Sequence, residues 1–460
     1  MFMKVRAYLM KIVLQNHPKS NFKETLIKAK LLTGRKNGVI QSIFEEDSEL
    51  LWHNVFHYSA ALTNVLHFSP ECWDRYSSST STNKNLAKAR SIGEAIERYC
   101  LSVYDENDFI LSNYAKIKKE AINPSDFGLF SETQYSKNNF NISRFSVYNK
   151  LHWVWGYSLM KEKPVLLPAC FVFVPYKVKN EVFFIRESIS TGAACGNTIE
   201  EAILSGIYEV VERDAFMIWW LNKLKMPRID LSTVKNRENT ELIAFFSTNE
   251  FQLEVVNITT DIKIPTFVSM LINKMGNEPL FILSANTCLD PNMCLLGAME
   301  ELFQGYNSVM RTFKEYKNYP YISQFNDVKT SNDHILLYTR KEPILNLDFV
   351  LNFVENAYIQ DFNEIENNSS ENILGDIKTC VEIFKKKDID ILIVDITKSD
   401  VAEAGFSVVK VIIPGMQPLN IDHNYPYLGI KRLYEVPKIL GYTQHTTRED
   451  DLNKFPHPFP

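Results

Sequence analysis

Residues 190–216 read STGAACGNTIEEAILSGIYEVVERDAF. The small residues Gly192–Gly196 suit a close passage of the backbone. Thr198 followed three residues later by Glu201 has the form of a capping box. From Ile199 to about Lys223 the spacing predicts a helix that is apolar almost all round, with little polar face for water. Glu201, Glu209, Glu212 and Arg213 nevertheless lie within it. At about 100° per residue, with Glu201 set at zero, Asn197 falls near −40°, Glu212 near 20° and Glu209 near 80°, an arc of roughly 120°. Charges in such surroundings are costly without a partner.

Glu209 and Glu212 sit one turn apart and can grip one hard cation together. Glu201 lies about 12 Å nearer the helix start at ~1.5 Å per residue, a span that suits a nucleotide lying along the helix. Arg213 adds a planar donor for phosphate, and the entry through Gly192–Asn197 brings backbone N–H groups to a helix start. It is not a Walker loop, because no Gly-Lys-Ser/Thr follows.

The pattern Glu-x-x-Glu-Arg occurs twice, as Glu209–Arg213 and as Glu94–Arg98 within SIGEAIERY. Two facing carboxylate pairs would hold Mg²⁺ against a triphosphate. The same residues also admit a plainer reading, since Glu94–Arg98 and Glu209–Arg213 are i,i+4 pairs of the kind common on solvated helix faces. The capping box alone would account for Glu201.

The 460 residues carry 50 Lys and Arg against 55 Asp and Glu, a formal net charge of −5, with 45% hydrophobic content. That balance gives no general drive toward nucleic acid or anionic membrane. No apolar run reaches the length of a membrane span. Seven cysteines without a CxxC pair argue against a zinc site or a disulfide framework and for a cytoplasmic location. Residues 1–43 are locally basic, with Glu24 their one acid.

Strands are expected at 38–43, 165–174, 181–186, 253–258, 265–273, 279–284, 389–396 and 408–413. Helices are expected at 23–32, 86–103, 293–313 and 371–387, with a loop at 361–371. Ser77–Lys84 reads as a polar lead-in to the second of these helices. Strands grouped between long helices predict an α+β fold, mixed or antiparallel sheets packed with long helices. His53 and His57 lack the glutamate of HExxH chemistry. Cys195 reads as a small buried residue rather than a nucleophile, and Trp219 and Trp220 as core.

From about residue 38 onward the chain resembles the YcaO superfamily of ATP-dependent enzymes that modify peptide backbone amides. The resemblance rests on SIGEAIERY, STGAACGNTIEEAI…YEVVERDAF, MEELFQ (299–304), IVDIT (393–397) and PGMQPL (414–419). It implies a YcaO-type ATP-binding fold with ATP and Mg²⁺ as cofactors. Glu94, Glu97, Glu209 and Glu212 would be the metal ligands, Asn197, Glu201 and Arg213 would contact ATP, and Glu301 would be a further active-site acid. The ending PHPFP resembles the Pro-x-Pro-x-Pro tail of azoline-forming members, which makes Pro456, Pro458 and Pro460 candidate active-site residues. Such enzymes convert Cys, Ser or Thr of a ribosomal precursor peptide to thiazoline or oxazoline, phosphorylating the amide oxygen.

Two positions depart from the family pattern: Thr80-Ser81-Thr82 stands where Gly-Lys-Gly is usual, and Gly297 where an arginine is common. The expected organisation is a basic segment 1–37, a catalytic domain 38–420 and a C-terminal extension 421–460. Lacking the extra N-terminal domain of fused cyclodehydratases, the chain resembles the discrete catalytic subunits of streptolysin-type clusters. That implies a precursor peptide, a separate leader-binding partner protein, a flavin-dependent dehydrogenase and a homodimer. Thioamide or amidine formation, or a non-catalytic scaffold with a degenerate nucleotide site, remain alternatives.

Overall fold

The computed structural model describes residues 12–459 apart from 18–19, 37, 48–54, 67–68, 70–74, 179–182, 249, 277–278, 316–324, 340–347 and 352–357. Strands β1 (Ile40–Glu45), β2 (Phe56–Leu62) and β3 (Tyr76–Ser81) form an antiparallel sheet in that order. A six-stranded sheet orders β4 (Ile110–Asn113), β5 (Lys150–Ser158), β13 (Leu392–Asp395), β14 (Ser407–Ile412) and β7 (Ala193–Gly196), with β6 (Lys163–Pro168) paired to β5. A five-stranded sheet orders β11 (Phe281–Thr287), β10 (Thr266–Asn273), β9 (Phe251–Asn257), β8 (Arg228–Asp230) and β12 (Ile359–Asp361). Strand pairing is antiparallel except between β8 and β12. The architecture is the expected α+β arrangement.

Three expectations need correction. Ser77–Lys84 does not merely lead into a helix, because Tyr76–Ser81 is strand β3. Its hydroxyls find partners that a sequence window does not contain: Ser77 Oγ donates to Ser91 O at 2.7 Å, and Thr80 Oγ1 to Glu300 O at 2.5 Å. The strand expected over 165–174 stops at Pro168, where the chain turns through a short 3₁₀ helix at Ala169–Phe171. The one expected over 181–186 lies partly outside the described residues, and 183–186 is not a strand.

Four helices carry the site. Asn83 caps Lys84–Ser102 by accepting from the N–H groups of Asn85 and Leu86. Thr198 caps Ile199–Asn222, and Lys223 ends it in the left-handed conformation (φ 50°). Pro291–Glu315 and Ile373–Lys385 complete the set. The helix 199–222 is the axis of the molecule. Its first half packs with β13, β14 and helix 373–385, and its second half with the five-stranded sheet and the chain's C-terminal segment. Helix 291–315 covers the other face of that sheet. Among the described residues no helix is long and apolar enough to cross a membrane.

Candidate functional site

The polar arc of helix 199–222 opens onto a cavity of about 2010 Å³ that is also lined by helices 84–102 and 291–315. Glu94, Glu97, Asn197, Glu201, Glu209, Glu212, Arg213 and Glu301 all line it. Sheet pairing sets one wall, since β14 against β7 fixes Gly192 so that its N–H donates to Glu209 Oε2 at 3.1 Å. A Cβ on Gly192 would stand 2.1 Å from Val411 O, and its φ is 85°. No other residue fits that passage.

At one end, Glu201 accepts from the backbone N–H groups of Asn197 (2.9 Å) and Ser20 (2.9 Å). Thr198 Oγ1 accepts from Glu201 N at 3.2 Å, the capping half of the expected box. Asn197 Nδ2 donates to Thr25 Oγ1 at 2.8 Å, and its buried Oδ1 has no partner among the described residues. Thus the segment before residue 38 closes over this end. At the middle of the helix, Arg213 pairs with Glu212 at 3.1 Å and with Glu209 at 3.7 Å. Across the cavity Arg98 holds Glu94 at 2.6 Å.

The carboxylates crowd one another. Burial, then the charges of Glu209 and Glu94, hold the Glu97 carboxyl well above its ordinary range. Burial raises Glu212 in the same way, with Arg213 opposing and Glu301 and Glu209 adding. Glu301 is exposed toward the cavity, and desolvation by the surrounding walls, aided by the charges of Glu209 and Glu94, pushes its carboxyl up to about 7 against the pull of Arg213 and Arg90. Lys410, buried in β14, is brought down to about 7 by desolvation and lies within the field of Glu209 and Glu97. Among the described residues no three His, Cys, Asp or Glu side chains gather closely enough to cage a metal. The carboxylates stand instead as pairs. This donor set fits Mg²⁺, which usually takes one or two carboxylates and completes its shell with water and phosphate oxygens.

The two departures from pattern have local explanations. Ser81 Oγ and the Thr82 N–H bind Glu300 Oε1 at 2.7 and 3.1 Å, while Arg90 pairs with Oε2 at 2.5 Å. The Thr80–Thr82 segment is therefore a clasp on helix 291–315. At Gly297 a Cβ would meet Asn286 Nδ2 at 2.1 Å, so Asn286 of β11 occupies the space of the missing side chain. Neither Glu300 nor Asn286 stood out in the sequence. Arg90 could have been found, since it lies one turn before Glu94 on the same helix face.

The C-terminal segment is ordered and buried. Tyr338 Oη bonds Pro456 O, Trp220 Nε1 donates to Phe455 O at 3.1 Å, and His334 stacks on His457 at 4.0 Å. Pro456 and Pro458 are buried, and Phe459 reaches the cavity with its ring 4.1 Å from Arg213 Cζ. Pro460 lies outside the described residues, as does His53; His57 is buried in β2. Cys195 lines the cavity, but burial holds its thiol well above the ordinary value, which removes the thiolate a nucleophile needs.

Comparisons with known proteins bear on the family and the fold. A family model described as YcaO cyclodehydratase, ATP- and Mg²⁺-binding, matches residues 79–417. The chain belongs to the YcaO cyclodehydratase family. Among solved structures, this YcaO chain is similar to a heterocyclase in complex with substrate and cofactor (26% identity, TM-score 0.81, 98% of this chain and 59% of that one). It is also similar to the heterocyclase TruD (25%, TM-score 0.71, 100% and 57%). It thus spans under three fifths of the length of either. The fold is shared with YcaO from Methanopyrus kandleri bound with AMPPCP and Mg²⁺ (17%, TM-score 0.58, 88% and 94%).

The tail's anchorage yields a first prediction. Burial, and the neighbouring His334, hold the His423 imidazole at about 4 and that of His457 well below its ordinary value. These groups stay neutral in the folded protein where free imidazoles already bind protons. The stability they contribute is complete above about pH 6.5 and is lost as pH falls toward about 4. Acidification over that range is expected to loosen the C-terminal segment before the whole protein unfolds. Tryptophan fluorescence should report it through Trp220, with far-ultraviolet circular dichroism as the control. Coincident transitions in the two signals would refute a separable segment.

Proposed function

We propose that this YcaO protein is the catalytic, ATP- and Mg²⁺-using subunit of a peptide cyclodehydratase, forming thiazoline or oxazoline from Cys, Ser or Thr of a ribosomal precursor peptide. The observation that carries the reading is the meeting of Phe459 with Arg213 beside the two carboxylate pairs. It joins the extended Pro-rich tail to the anion-binding end of the polar arc. The family description and the heterocyclase structures support the same assignment.

In this reading Glu94 with Glu97, and Glu209 with Glu212, hold the cation, while Asn197 and Glu201 hold the far end of the nucleotide. When bound, Mg–ATP supplies a phosphoryl group that turns the amide oxygen into a leaving group. Arg213 neutralises negative charge near the transfer point. Glu301, titrating near 7, is suited to taking the proton released by the attacking side chain. The tail, held by Trp220 and Tyr338, forms the wall on the peptide side. A partner protein that binds the precursor's leader completes the proposed assembly.

The test is incubation of protein, candidate precursor, leader-binding partner and Mg–ATP, followed by mass spectrometry. Loss of one water per ring, with ATP consumed, supports cyclodehydration. Exchange of oxygen for sulfur in the presence of sulfide would assign a thioamide-forming enzyme, and no ATP use would leave a scaffold.

A further inference from the structure

Another cationic group lines the same cavity and pairs with none of its carboxylates among the described residues. Arg186 is 7% exposed and lines the cavity. Its guanidinium is pressed between two aromatic rings, with Cζ 4.7 Å from the Phe171 centroid and 4.9 Å from that of Tyr427. Nε and Nη1 are buried with no hydrogen-bond partner among the described residues. Among the described residues no carboxylate pairs with it; the polar groups acting on it are the Tyr427 hydroxyl and the Cys170 thiol. Lys410, a second buried cation, is close enough to repel it.

Lys410 itself is satisfied, since Nζ donates to Ile189 O at 2.6 Å and Ser190 O at 2.8 Å. That ties down the strand of chain leading from Arg186 to Gly192. Arg186 is not satisfied. Breaking a buried ion pair leaves a strongly unfavourable charge, and this one has no carboxylate partner among the described residues to begin with. Two ring faces recover part of that cost. They also fix the plane of the guanidinium, and the Tyr427 hydroxyl acts on it as a hydrogen-bonding group, but Nε and Nη1 stay unanswered among the described residues. A cation clamped in one orientation, dehydrated, and lining a cavity with two N–H-bearing nitrogens unanswered among the described residues is preorganised for an oxyanion.

We infer that Arg186, clamped by Phe171 and Tyr427, is a subsite for a phosphoryl oxyanion in the cavity that the carboxylate pairs line. Tyr427, whose ring and hydroxyl hold the guanidinium, belongs to the 421–460 extension. Inorganic phosphate and the terminal phosphoryl group of a nucleotide share the required chemistry. The inference rests on the proposed ATP use only for the second of these sources.

Calorimetric titration of the full chain, as wild type and as Arg186→Met, with inorganic phosphate, Mg–AMPPCP and Mg–ADP separates the cases. Arg186→Met is expected to weaken phosphate binding at least tenfold, with Mg–ADP affinity within twofold. A parallel tenfold loss of Mg–AMPPCP affinity would place the terminal phosphoryl at Arg186; an unchanged Mg–AMPPCP affinity would assign the subsite to free phosphate. Phosphate binding by a wild-type protein that binds no nucleotide would sink the ATP reading and leave the subsite standing. Absence of phosphate binding by the wild type, or equal affinity in the variant, overturns the inference. So does an equal loss for Mg–ADP, which would mean a distorted cavity. Should Arg186→Met fail to fold, Arg186→Lys keeps the charge without the planar fork, and the same loss is expected of it.

Discussion

Glu209→Gln is expected to lower ATP turnover at least about a hundredfold while leaving the protein as stable as the parent or more so. The two effects have opposite signs for one reason. Glu209 contributes negative charge to a crowded group, and its charge helps hold Glu97, Glu212 and Glu301 above their ordinary range. Removing it relieves that repulsion in the protein alone. The isosteric amide can still accept the Gly192 N–H, and the 3.7 Å pair with Arg213 is partly exposed, worth no more than about 1 kcal/mol. With a cation present the balance reverses, because the same charge becomes half of a ligand pair. Loss of a residue that merely orients a ligand costs roughly 10–100-fold, and loss of a ligand costs more. Phosphate release and thermal melting on the same preparation check both halves. Full turnover in the variant would remove Glu209 from the metal assignment, and a large drop in melting temperature would make it structural.

The parts of this site that could be read from sequence were those with a local signature. Helix 199–222 announced itself because Glu201, Glu209 and Glu212 fall on one arc of an otherwise apolar cylinder, and its observed cap at Thr198 follows from the four-residue pattern Thr198–Glu201. The strands β9, β10 and β11 were legible from their β-branched and aromatic runs. What stayed hidden depended on distant partners. Tyr76–Ser81 looked like a polar linker because the acceptor for Ser81 Oγ, the buried carboxylate of Glu300, is 219 residues away. Gly297 read as a lost arginine, whereas Asn286 on the neighbouring strand fills its place. Arg186 showed no signal at all, since its clamp joins Phe171 to Tyr427 only in the folded chain. The tail was noticed for its prolines, yet the residue that touches the polar arc is Phe459.

Deleting Phe459 and Pro460 is expected to slow ring formation at least about a hundredfold and to change Mg–AMPPCP affinity little. Phe459 is 4% exposed, packs on Phe216 at 4.6 Å and covers Arg213. Truncating a buried phenylalanine in a closed core costs about 3–5 kcal/mol, but a chain end lets its neighbours relax, so the lower part of that range applies here. The rest of the segment stays anchored through Trp220, Tyr338 and His334, which hold residues 455–457. Arg213 then keeps its carboxylates but loses the ring that fixes its plane. Misplacing a positioned group by about 1 Å is enough for a hundredfold loss of rate. Phe459→Leu separates the two contributions: it preserves most of the apolar packing and removes the cation–π contact, worth about 0.5–2 kcal/mol. It is expected to melt close to wild type and still cyclise more slowly. Nucleotide affinity falling in step with ring formation in both variants would make the tail a wedge that shapes the whole cavity. Loss confined to ring formation would place it on the peptide side, where the stacking of Phe459 on Arg213 joins substrate positioning to phosphoryl transfer.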